Sequence, residues 1–334
     1  MSALTSSVSR VDPRLDPRER RIWELVSTSP VANLWRSEVP AKVVAQRTWK
    51  AMLDDRLFGY AAELAFYFLF ALFPMLLSAS AILGLVARSA HQFYFSILHY
   101  LYLVVPRSAL GMVLKTFTQT TAEATSGKIT FGLAFAIWSA SSGVSAVQDT
   151  LDAVYKLVDR RSYLWARLQA IGLTLVLMVT ISLCLASMFG SDLVAKWAHS
   201  WVSDPAVGRA TEVLVRIVGW ALAILFLTLS FTVTYHWAPD LRRPRWRWFT
   251  PGQAIGIVAW LLASIGLRIY LHFFNNYSVT YGSLGAVIIL LTWFYITGLM
   301  LLVGAEIDSE IEAAVVEKRV EGETHTPQRI APAA

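Results

Sequence analysis

Ser141, Ser145, Gln148 and Asp152 are spaced four, three and four residues apart. That spacing puts them on one face of any helix that contains them. Ser142 and Asp149 lie beside the stripe. Hydroxyls, an amide and carboxylates supply both donors and acceptors. In apolar surroundings such a face could replace water around a polar solute and line a route for it. The alternative is packing, in which small residues let helices approach closely and serine hydroxyls bond across the contact. Both readings stay open on the sequence.

Three charges mark the edges of apolar runs. Glu63 comes just before the first run, and Glu306 directly after the last. A carboxylate at the edge of hydrocarbon is costly and is usually paired, so each is a proton or cation site or a terminal anchor. If a helix ended at Glu306, the macrodipole would disfavour its charge, so the helix is expected to continue through Ala314. Arg268 is the single basic residue between the fifth and sixth runs; it snorkels to headgroups or meets an anionic substrate. The six histidines are scattered, without metal-ligand spacing. There is no Walker A sequence and no G-x-S-x-G. No catalytic residue, metal ligand or cofactor is predicted.

These residues must be carried by the chain's apolar segments. Residues 281–305 contain no Asp, Glu, Lys, Arg or His. As a helix they would reach about 37 Å, enough to cross a hydrocarbon core of about 30 Å. Five more such runs occur, at 64–87, 129–148, 168–191, 217–239 and 248–267, the fourth interrupted only by His236 near its end. The first contains Pro74, and the fifth is introduced by Thr250 as N-cap with Pro251 at the first helical position. Residues 92–105 are apolar and aromatic but too short to cross, and 110–124 read as a more polar helix. Together they predict an interfacial or re-entrant hairpin between spans 1 and 2. Gly252 and Gly256 begin a small-residue face that predicts close helix packing.

The composition agrees, with 56% hydrophobic residues, 16% charged and mean hydropathy +0.51; soluble domains carry about 25% charged residues. The single cysteine excludes an intrachain disulfide and a cysteine metal cage. The fold class is therefore an all-α membrane protein, a bundle of six transmembrane helices. The expected organisation is a segment 1–55 with amphipathic helices, a membrane domain 56–314 and a disordered tail 315–334. Within the first segment, Lys42, Arg47 and Lys50 beside Trp49 and Leu53 suit a helix lying on a membrane surface or an ordinary solvated helix. The N-terminus shows no apolar stretch of the signal-peptide kind.

Lysine and arginine are distributed unevenly between the runs. The N-terminal, second-to-third, fourth-to-fifth and C-terminal segments carry 10, 4, 4 and 3 of the 29, against 4, 3 and 1 in the others. The positive-inside rule then makes both termini cytoplasmic. Arg242, Arg243, Arg245 and Arg247, with Trp246 and Trp248, suit an anionic cytoplasmic leaflet, so membrane lipids are the expected partner and nucleic acid is not.

From Tyr281-Gly282-Ser283-Leu284 onward, through Trp293 and Tyr295 to Leu302-Val303-Gly304-Ala305-Glu306-Ile307, the chain resembles the YihY/BrkB family of bacterial inner-membrane proteins, once labelled ribonuclease BN. Ala65-Phe66-Tyr67 with Ala71-Leu72-Phe73-Pro74 looks like that family's first span, and Trp138–Gly143 with Leu151-Asp152-Ala153-Val154-Tyr155 like its second. The likeness covers about residues 47 to 311. It implies six spans, cytoplasmic termini and the bacterial inner membrane. It implies transport or export of a lipid-linked, amphipathic or small solute, with a structural role in the envelope as the alternative and RNA processing as a remote one.

Overall fold

The computed structural model describes residues 10–28, 31, 34–37, 39–89, 126–158, 161–201, 205–241, 246–273 and 283–325. They form eight α-helices, labelled α1 Pro17–Thr28, α2 Ala41–Asp54, α3 Leu57–Ser89, α4 Ser126–Val154, α5 Tyr163–Trp201, α6 Pro205–Trp237, α7 Pro251–Phe273 and α8 Ser283–His325. A 3-10 turn, Leu34–Arg36, joins the first two. Among the described residues there is no sheet, only one isolated bridge between Val11 and Leu157.

Four helical stretches are long and apolar enough to cross a membrane: Tyr163–Ser191, Val207–Trp237, Pro251–Phe273 and Leu284–Glu321. A fifth is counted if α2 and the start of α3, bent by 64° at residues 55 and 56, are taken as one broken span. Helices α3 to α8 carry most of each of the six expected apolar runs, and the fold of the described residues is all-helical. The hairpin expected between the first two runs lies outside the described residues. Helix α3 runs unbroken through Pro74.

The organising element is α8, 43 residues long. At 1.5 Å per residue it reaches roughly 64 Å, about twice the hydrocarbon thickness, so only part of it can be apolar surroundings. Its two halves behave oppositely. Leu284 is 62% exposed and the first half turns much of its apolar surface outward. From Gly304 to Ala314 every residue is buried, including Glu306, Asp308, Glu310 and Glu312. The acidic half is covered by protein: α1, α2, α3, α4 and α7 all pack on α8.

Close contact is made by glycines. A Cβ on Gly256 would lie 3.0 Å from the Met300 carbonyl oxygen, and one on Gly304 would lie 2.7 Å from that of Gly252. The small face of α7 therefore lies directly on α8, as the spacing implied. On α3, Leu64 stands 3.1 Å from where a Gly298 Cβ would be, and Phe68 stands 3.3 Å from that of Gly143. These contacts set the depth of α4 relative to α8.

Several boundaries are corrected. The tail expected to be disordered from 315 is helical to His325, because Val316 is buried and Glu317 and Glu321 meet Arg47 and Arg18. Residues 326–334 lie outside the described residues. The fifth run begins at Pro251 and ends at Phe273, so Arg268 lies inside α7, exposed, and not in a connection. Arg47 of α2 faces inward to Glu310 and Glu317, while Trp49 and Leu53 are exposed at 60% and 53%.

Candidate functional site

Helix α4 carries the predicted polar stripe, and the structure divides it. Ser141, Gln148 and Asp152 are buried, Ser142 and Ser145 are half-buried, and Asp149 is exposed. Ser141 Oγ donates to the Trp138 carbonyl at 2.7 Å, and Ser145 Oγ donates to that of Ser141 at 3.0 Å. Back-bonding of this kind is how a mid-helix serine satisfies its hydroxyl in apolar surroundings.

Arg167 of α5 reaches across to this stripe. Its Nη2 donates to the Trp138 carbonyl at 2.8 Å and to Ser142 Oγ at 3.0 Å, and its Nη1 donates to Ser145 Oγ at 3.4 Å. The guanidinium carbon lies 4.1 Å from the centre of the Trp138 ring, a cation–π contact. Sequence reasoning counted Arg167 only among loop charges. Its position two residues before Gln169, on an otherwise apolar helix, was the available signal.

Asp152 has a different role. One oxygen accepts from Arg161 Nη2 at 2.6 Å, and the other accepts the Asp240 backbone N–H at 2.6 Å. Arg161 also donates to the Ala238 carbonyl and to Gln169 Oε1. Asp240 in turn pairs with Arg10 at 2.7 Å. Asp152 thus ties the ends of α4, α5 and α6 together. A buried pair with several hydrogen bonds on each member is costly to break from either side.

The second polar centre is the acidic half of α8. Thr250 and Gln253 form a reciprocal cap at the start of α7: the Gln253 N–H donates to Thr250 Oγ1 at 3.2 Å, and the Thr250 N–H donates to Gln253 Oε1 at 3.1 Å. Asp308 accepts from the Thr250 hydroxyl and from the Gly252 N–H at 2.8 Å. A carboxylate at a helix N-terminus is favoured by the unpaired N–H groups and the macrodipole. Arg247 pairs with Glu312 and has a side chain only 14% exposed. Arg247 therefore does not face a lipid leaflet, as its loop suggested; Glu312, buried one turn beyond Asp308, draws it inward. Burial alone would lower the pKa of Arg247, but the hydrogen bond and charge of Glu312 outweigh that and leave it raised. Arg242, Arg243 and Arg245 lie outside the described residues.

A cleft of about 30 Å³ opens between these groups, lined by Tyr155, Tyr235, His236, Arg247, Asp308 and Glu312 among others. That exceeds the ~10–15 Å³ one water needs and is far below the ~300 Å³ of a small-molecule site. The cleft suits a bridging water, not a substrate.

Glu306 faces a third group. It is 0% exposed, and neither carboxylate oxygen has a hydrogen-bond partner. The charges acting on it most strongly are Asp55, Lys156 and Glu310. Asp55 and Lys156 are ion-paired. Burial pushes Asp55 above its ordinary value, which Lys156 only partly offsets. The turns that bring this pair together hold Arg56 at φ 57° and Lys156 at φ 54°. For residues other than glycine that conformation costs roughly 1–2 kcal/mol each. Glu63, by contrast, is exposed on the second turn of α3.

Of the family-signature residues, Gly304 lies against Gly252 and Tyr235. Trp293 lies 6.3 Å from Trp260, whose Nε1 donates to Thr297 at 3.0 Å. Tyr281 and Gly282 lie outside the described residues. Among the described residues no group of three or more His, Cys, Asp or Glu is placed to hold a metal ion.

The chain is similar to the putative ribonuclease-like protein YfkH of Bacillus subtilis, 31% identical over 75% of this chain and 88% of that one. It is 26% identical to a UPF0761 membrane protein of Stenotrophomonas maltophilia, over 84% of this chain and 64% of the relative. A UPF0761 membrane protein of Chlorobium phaeobacteroides is 25% identical over 77% and 55%. The chain thus spans most of the Bacillus protein but under two thirds of the UPF0761 relatives. No solved structure matches. The profile of the family described as virulence factor BrkB matches residues 48–329, a stretch that includes α3 to α8 entire, and the chain belongs to that family.

Proposed function

We propose that the chain crosses the bacterial cytoplasmic membrane six times, with both termini in the cytoplasm, and moves an amphipathic or lipid-linked solute along α4. The division of lysine and arginine between alternate connections supports the orientation. One observation carries the transport reading: Ser142 and Ser145 are only half-buried, on an apolar helix, beside the cation of Arg167. Ser141, beside them on the same helix, is buried. Polar and charged groups kept within a membrane segment mark a solute pathway by default.

The test is water access. In a Cys184→Ser background, single cysteines at 142 and 145 should react with a membrane-impermeant maleimide in intact cells or inverted vesicles. A cysteine at 141 should react far more slowly. Equal silence at all three positions would reject the route and favour a non-transporting scaffold of the envelope. The closure of Asp152 by Arg161 and the Asp240 N–H supports that second reading. RNA processing rests only on the ribonuclease-like name of the Bacillus relative.

A further inference from the structure

We infer that Arg167, with Ser142, Ser145 and the Trp138 ring, forms a binding site for the phosphate headgroup of an anionic membrane amphiphile. The inference rests on the six-span reading, and it names the class of solute for that route.

The position of the site is the first argument. Ser142 lies six residues, roughly 9 Å, in from residue 148, where the charge-free run of α4 ends, and Arg167, in the second turn of α5, directly precedes the run 168–191. Arg167 is hydrogen-bonded to Ser142 and Ser145. A guanidinium that the sequence placed in a loop lies instead in the seam between two helices, at the edge of their apolar runs.

The second argument is charge. Asp152 and Arg161 neutralise each other, as do Arg247 and Glu312. The partners of Arg167 are two hydroxyls, a carbonyl and an aromatic face, all neutral. Among the described residues no carboxylate pairs with it. Its Nε is buried and has no hydrogen-bond partner. A cation held only by neutral groups at the edge of an apolar run lacks a counter-ion, and an anion supplies what is missing. Arginine's planar fork matches the oxygens of a phosphate.

The third argument is access. Trp138 and Phe135 on α4 are each 50% exposed, and Leu164, Trp165 and Leu168 on α5 are 73%, 64% and 60% exposed. This wall is apolar, as a hydrocarbon tail requires, and the polar groups sit in the seam within it. A free phosphate would have to leave water and enter that seam alone. A phosphate on an alkyl chain would arrive with its tail solvated by lipid.

The experiment is equilibrium binding to the full chain in dodecyl maltoside, a detergent without phosphate, read by Trp fluorescence and thermal shift. The probes are dodecyl phosphate, inorganic phosphate and uncharged dodecanol. Dodecyl phosphate should bind, dodecanol should not, and inorganic phosphate should bind at least tenfold more weakly. Arg167→Gln should weaken dodecyl phosphate at least tenfold. Arg167→Lys, a charge without the fork, should fall between. Ser142→Ala, a small change that should preserve the fold, should weaken it a fewfold and keeps the test available if Arg167→Gln fails to fold. Binding unaffected by all three substitutions, or equal binding of dodecanol, overturns the site. Inorganic phosphate binding as tightly overturns the amphiphile and assigns the site to a soluble phosphate. Because binding is read without transport, intact binding with cysteines silent at 142 and 145 would reject the route and leave the site standing.

Discussion

Gly252→Ala tests the contact on which α7 and α8 are built. A methyl group there would overlap the Gly304 carbonyl oxygen and lie 2.7 Å from Asp308 Cγ. Neither neighbour is a flexible tip: one is backbone, and the other is held by Thr250 and the Gly252 N–H. Either the helices part or Asp308 leaves its place. Overpacking of this kind costs about 1–3 kcal/mol. Loosening the Asp308 cap adds about 1 kcal/mol. Alanine's better helix propensity returns up to about 1 kcal/mol. The net loss is about 1–4 kcal/mol, or roughly 5- to 700-fold in the folded-to-unfolded ratio. The internal control is Gly266→Ala on the same helix, where a Cβ would meet nothing within 4 Å. That variant should be neutral or slightly stabilised. Both would be unfolded by SDS titration from dodecyl maltoside and followed by circular dichroism. If Gly252→Ala unfolds at the same SDS fraction as Gly266→Ala, α7 and α8 are not this close and the reasoning fails.

Three further outcomes follow from the buried charges. Asp152→Asn leaves Arg161, whose side chain is 5% exposed, without its carboxylate, and should cost about 3–5 kcal/mol in the same titration; a loss below 1 kcal/mol would mean that the pair is solvated. Arg247→Met should destabilise strongly by leaving Glu312 buried and unpaired, whereas Arg247→Met with Glu312→Leu should recover most of the loss, and a double variant as unstable as the single would refute that account. Glu306→Gln should raise the midpoint at pH 8, because it removes a buried carboxylate without a partner that faces Asp55 and Glu310; a lowered midpoint would show that the carboxylate is held by something this geometry does not contain.

The apolar runs were legible because hydrocarbon imposes a length and a composition that need no partner to recognise. The same holds for the Thr250–Pro251 helix start, where the cap is written in adjacent residues, and for the small face of α7, whose spacing alone implies a close neighbour. The α4 stripe could be seen as a face, since i and i+4 neighbours are a property of one helix. What sequence could not do was say which residue from elsewhere meets that face. Arg167 and Arg161 are both arginines near one loop, yet one is matched by Asp152 and the other only by neutral groups. The sequence marked Glu306 as an edge charge in need of a partner and carried the helix through Ala314, without saying what meets the acidic run. That run is the most enclosed part of α8, because Arg47, Arg247 and the N-terminus of α7 arrive there from positions far apart in the chain. Periodicity reports the environment of a helix taken alone. Pairing between distant charges depends on how the helices assemble, and only the tertiary structure decides it.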